Sequence, residues 1–100
     1  MIVIVAGWFD VEPAERERFL QVREEHVAQA RRAPGCLTYA LSRDAGDPGR
    51  VWIFERWESR AALESSRQRS RSKPNPATAT VAVITRDIAI YEVSSVESLG

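Results

Sequence analysis

The most restrictive stretch of this chain is Arg50-Val-Trp-Ile-Phe-Glu-Arg-Trp-Glu-Ser59. It alternates as a β-strand but carries large apolar side chains on both sides, with Val51, Ile53 and Trp57 at odd positions and Trp52 and Phe54 at even ones. A strand with two apolar faces must be covered twice. Its hairpin partner is Cys36 to Arg43, and the connecting loop holds the turn formers Asp44, Gly46, Asp47, Pro48 and Gly49.

The flanking segments supply one cover. Ile2 to Phe9 is a first strand with apolar residues on both faces, and a helix over Pro13 to Arg32 follows, because Phe19, Leu20, Val22, His26, Val27, Ala30 and Ala33 recur at spacings of three and four. Pro13 suits a first helical turn, and Pro34-Gly35 ends the helix. Ser59 N-caps a second helix expected to run to about Gln68. The cationic stretch Arg67 to Pro76 is expected to be a loop, because its like charges repel and Pro74 and Pro76 oppose regular structure. Ala77 to Ile84 is taken as a short helix, and Arg86 to Val93 is the last strand.

Strand, helix, strand, strand, helix, strand is the split β-α-β order of an α+β, ferredoxin-like fold: a four-stranded antiparallel sheet with both helices on one face. The second face is left bare. At roughly 150 to 250 Å² per aromatic ring, its patch would exceed what a monomer usually exposes, so a homodimer joined through the sheet face is expected. The chain is expected to form one domain over residues 1–95, with a short tail at 96–100.

Composition removes several functions. The 14 Lys and Arg balance the 14 Asp and Glu, so no net field gathers nucleic acid or anionic lipid. Residues 1–9 are apolar but about half as long as the ~20 residues of a membrane span, and they lack a basic leader. Neither nucleic acid nor membrane is an expected partner. Cys36 is the single cysteine and fits a reducing, cytoplasmic setting. One His and one Cys give no metal-ligand spacing, and no Gly-rich phosphate loop is present.

The words Pro34-Gly-Cys-Leu-Thr-Tyr39, Arg50 to Ser59, Ala62-Leu-Glu64 and Tyr91-Glu-Val93 resemble the antibiotic biosynthesis monooxygenase domain family. The resemblance covers Ile2 to about Val93, except Arg67 to Ile84. It implies a dimeric α/β barrel with a pocket between sheet and helices in each subunit. It also implies oxidation of small aromatic phenols, quinols or polyketide-like substrates by O2 with no metal or organic cofactor. Trp57 matches the tryptophan that polyketide-tailoring members set against their substrate. The asparagine, tyrosine and arginine that accompany it there are replaced by Ile53, Leu63 and Ala77. A Pro-His pair of quinol-oxidising relatives is replaced by Ser70-Arg71. Haem degradation is disfavoured, since Ser66 and Pro76 stand where that branch needs a tryptophan and a histidine.

Such chemistry needs a dry cavity, one base and one or two donors. His26, the only histidine, is the candidate base; its other reading is a boundary histidine bonded to backbone or water. Trp57 and Tyr39 are the other candidate catalytic residues, each an apolar body with a polar handle, and both also suit a core. Trp8, Phe19, Trp52 and Arg71 are candidate substrate contacts. Trp8 and Trp52 could equally lie in the dimer interface, and the Arg67 to Lys73 run could equally be solvated. Glu55 and Glu92, which interrupt apolar faces, are expected to pair with an arginine such as Arg56 or Arg86, or to sit at the barrel rim, in structural roles. The alternative to a cofactor-independent monooxygenase is a ligand-binding or accessory dimer of the same fold without catalysis.

Overall fold

A computed structural model describes residues 1–100. Four strands, β1 (Val3–Asp10), β2 (Cys36–Arg43), β3 (Arg50–Trp57) and β4 (Thr85–Glu92), form one antiparallel sheet in the order β2-β3-β1-β4. This is the expected ferredoxin-like sheet. β3 and β1 are its inner strands, which is why both carry apolar residues on two faces.

The register assigns the faces. Val3, Val5, Ile53 and Trp57 point to the helical side and are buried with Tyr39, Ala30 and Leu63. A second cluster at the other end joins Val11, Phe19, Val51 and Val81. In β2 a bulge at Leu37 sets Cys36 opposite Trp57 and Thr38 opposite Arg56. The extra residue reverses the alternation, so Cys36 and Tyr39, three apart, share the helical face. Gly7 lets β4 approach, because a Cβ there would stand 1.8 Å from the Asp87 carbonyl oxygen.

The first helix is not continuous. A 3-10 turn (Pro13–Glu15) leads into α1 (Arg16–Gln21), and α2 (Glu24–Arg32) follows a break at Val22 and Arg23. The Arg23 amide bonds the Leu20 carbonyl at 3.1 Å instead of that of Phe19. The Arg23 guanidinium then takes the freed Phe19 carbonyl at 3.3 Å and lies 3.7 Å over the Phe19 ring. A side chain thus replaces a backbone donor, and the helix turns without an orphaned acceptor.

The expected loop after Gln68 is also corrected. α3 runs from Arg60 to Ser72, capped by the Ser59 hydroxyl, which accepts from the Ala62 amide at 3.1 Å. At about 100° per residue Arg69 points away from Arg67 and Arg71, so only that i, i+4 pair of the three shares a face, and like charges at that spacing cost a helix only about 0.2 to 0.5 kcal/mol. Nothing stops the helix until Pro74, whose ring disfavours helical geometry in the residue before it. The short helix expected over Ala77 to Ile84 is a 3-10 turn at Pro76–Thr80, capped by Asn75, followed by extended chain.

Phe19 is fully buried and packs on Phe9 with ring centroids 5.2 Å apart. Phe19→Ala is expected to cost about 3 to 5 kcal/mol of stability, read as a lower urea midpoint with an unchanged slope.

Candidate functional site

One row of inward-facing residues crosses the whole sheet: Tyr39 on β2, Glu55 on β3, Val5 on β1 and Ile90 on β4. Above it α2 and α3 do not close. The gap is a cavity of about 530 Å³, large enough for a small polycyclic aromatic. Its apolar walls include Ile53, Trp57, Leu63 and Ile88, and α3 contributes Ser66, Arg67, Ser70 and Arg71 along one face. Arg86 of β4 completes the mouth, and His26 of α2 reaches in from the opposite side. The course of α3 through the expected loop therefore matters, since it turns three of that loop's members, Arg67, Ser70 and Arg71, into a cavity wall.

Four of the seven residues singled out by sequence meet here: His26, Tyr39, Trp57 and Arg71. His26 Nε2 lies 3.1 Å from the Tyr39 hydroxyl, with the rings edge to face. Burial, reinforced by the neighbouring Arg23 charge, lowers the pKa of His26, so the imidazole is neutral at pH 7. Burial, and then the Glu55 carboxylate, raise that of Tyr39, which keeps its proton. The pair is a neutral hydrogen-bonded unit, and the His26 tautomer sets which member donates.

The other three do not reach the cavity. Phe19 belongs to the second core cluster. Trp8 and Trp52 pair edge-on across β1 and β3, 5.5 Å apart, on the opposite face of the sheet. There Arg50 lies 4.5 Å from the Trp8 ring and bridges to Asp10, and Trp52 donates to Asp44 at 2.6 Å. With backbone amides of the turn also bonded to it, Asp44 has its pKa lowered to about 2.

Glu55 is the residue whose place the sequence argument missed. It is only 7 % exposed and accepts a 2.9 Å hydrogen bond from the Trp57 indole N–H, with no arginine in ion-pair contact. Of the two arginines expected as partners, Arg56 lies on the other face and bonds Thr38, and Arg86 lines the same cavity without an ion pair to Glu55, while Glu92 pairs with Arg60. Burial raises the pKa of Glu55 against the smaller opposing effects of the Trp57 bond and the Arg67 charge. The signal was available: Glu55 keeps the odd-numbered alternation of Val51, Ile53 and Trp57, and an i, i+2 neighbour on a strand shares its face.

The model of the antibiotic biosynthesis monooxygenase family matches residues 1–73. The chain belongs to this family. Solved structures agree in fold. A conserved protein from Methanosarcina mazei superposes with a TM-score of 0.77 at 17 % identity, covering 91 % of each chain. A candidate antibiotic biosynthesis monooxygenase from Deinococcus radiodurans gives 0.75 at 21 %, covering 98 % of each. Rv0793 of Mycobacterium tuberculosis gives 0.70 at 26 % over the full length of both. In sequence, the chain is 32 % identical over 62 residues to the uncharacterised protein sll1783 of Synechocystis. That match covers 62 % of this chain and 42 % of the relative, so the chain spans less than half of that curated protein. No helix of the chain is long and apolar enough to cross a membrane.

Because Glu55 holds its proton above the ordinary value of 4.5, the folded state binds more protons than the unfolded one just above that pH. Its contribution to stability is present at lower pH and is lost as pH rises through the folded pKa. Denaturant titrations of wild type and Glu55→Gln are expected to diverge in that window, with only the wild type losing this increment.

Proposed function

We propose that the chain is a cofactor-independent monooxygenase that oxidises a small aromatic phenol, quinol or polyketide-like substrate with O2. The observation that carries this reading is the cavity under α2 and α3, where apolar walls and the Trp57 ring meet a neutral His26–Tyr39 pair and a mouth of arginines. An anthrone is the simplest model substrate. Loss of a proton from its activated CH₂ gives an electron-rich enolate that reduces O2, and anthrone plus O2 becomes anthraquinone plus water with no other reductant.

Each group has a role in that scheme. Ile88 and Ile90, only partly buried, face the rings, and the buried Trp57 indole backs the wall. With His26 Nε2–H donating to its oxygen, the Tyr39 hydroxyl is left free to donate to the developing oxyanion. Arg71, joined by Arg67 and Arg86, meets negative charge at the mouth.

The bare sheet face supports the second half of the reading, a homodimer. Trp52, Phe54 and Tyr91 are 39 %, 40 % and 55 % exposed there, and Trp8 stands beside Trp52. Sedimentation at micromolar concentration is expected to give a dimer. Phe54→Arg, which plants a charge in the patch, is expected to give a folded monomer.

Oxygen-electrode assays with anthrones and hydroquinones test the chemistry. Wild-type uptake is expected to exceed that of a Trp57→Ala, His26→Ala double mutant by at least roughly 10²-fold, and equal rates refute catalysis at this site. Absence of the matching asparagine, tyrosine and arginine favours the second reading, a ligand-binding dimer without turnover. Binding that raises the melting temperature with no oxygen consumed selects it.

A further inference from the structure

Glu55 has the only carboxyl group that lines the cavity. It sits at an inward position of a central strand with no cation in contact, an arrangement that a purely structural carboxylate avoids because unpaired burial is costly. Oε1 is held by the Trp57 indole. The other oxygen accepts from no protein donor, and the molecule has no sealed side-chain polar atom without a partner. That oxygen therefore opens on the cavity.

The competing base is less suited. Nε2 of His26 is taken up by the Tyr39 hydroxyl. Burial also acts on the two groups in opposite senses: it disfavours the imidazolium cation and weakens His26 as a base, but it disfavours the carboxylate anion and strengthens Glu55. The buried Trp57 indole fixes the carboxylate, so Trp57 positions Glu55. The titratable and charged groups around Glu55 are Tyr39 and Cys36 of β2, His26 of α2, Arg67 and Arg71 of α3, and Arg86 of β4.

We propose that Glu55 is the proton acceptor of the reaction, its free oxygen taking the proton from the acidic C–H or phenolic O–H of an aromatic substrate bound in the cavity. The inference rests on the monooxygenase reading above. In the step, the substrate C–H or O–H bond breaks, its electron pair stays on the substrate as enolate or phenolate, and a new O–H bond forms on Glu55. The negative charge passes from carboxylate to substrate, toward the arginines of the mouth. With an anthrone, O2 then adds to the enolate carbon as a peroxide anion, which recovers the proton from Glu55. The regenerated carboxylate removes the second proton of that carbon as the O–O bond breaks, and the departing hydroxide leaves with it as water.

Steady-state oxygen uptake with anthrone tests this. Glu55→Gln is expected to lower kcat by about 10²- to 10⁴-fold with KM little changed, and to abolish the acid limb of the kcat/KM profile, while Glu55→Asp recovers part of the rate. Wild-type kcat in a folded Glu55→Gln protein overturns the inference.

A second measurement separates this outcome from failure of the monooxygenase reading. A dihydroxyanthraquinone, which is not oxidised and whose phenolate absorbs in the visible, is titrated while bound. The Glu55 carboxylate opposes a phenolate beside it, so the bound dye is expected to ionise at higher pH in wild type than in Glu55→Gln, whether or not anthrone is turned over. Identical midpoints overturn the role of Glu55, and a dye that does not bind overturns the site with it.

Discussion

The structure depends on the burial of one face of β3. Val51, Ile53, Glu55 and Trp57 all point under the helices, and their neighbours on β1 and β2 take their inward register from pairing with them. Slipping this strand by one residue would exchange that face for Trp52, Phe54 and Arg56 and put a guanidinium where the core now stands. The Val51 and Trp57 ends are sealed by Phe19 and Leu63, and the cavity occupies the space that neither α2 nor α3 fills.

That geometry also sets the electrostatics of the site. A carboxyl group inside an apolar row is tolerable because the Trp57 indole satisfies one oxygen and the cavity leaves the other accessible. The same desolvation keeps Tyr39 protonated and His26 neutral. Three titratable groups on three elements are thus tuned by one cause, withdrawal from water, while the arginines that could oppose it remain at the mouth.

Two departures from regular structure shape the site. The bulge at Leu37 brings Tyr39 onto the cavity side, where regular alternation from Cys36 would have turned it away. The turn at Val22 and Arg23 redirects α2, which carries His26 to the Tyr39 hydroxyl. Neither is written in hydrophobic periodicity, because a bulge and a local break leave the spacing of apolar residues nearly intact.

The sequence alone determined the element order, the antiparallel hairpin and the surplus of apolar sheet surface, since these follow from residue alternation and turn chemistry. It also marked His26, Tyr39, Trp57 and Arg71. It misjudged α3, because a single like-charged i, i+4 pair is too weak to undo a capped helix, and it sent Trp8 and Trp52 to either face. Tertiary structure alone decided which face was which, and with it the setting of Glu55. Partners and burial are properties of register between distant strands, and a residue's neighbours along the chain carry only half of that information.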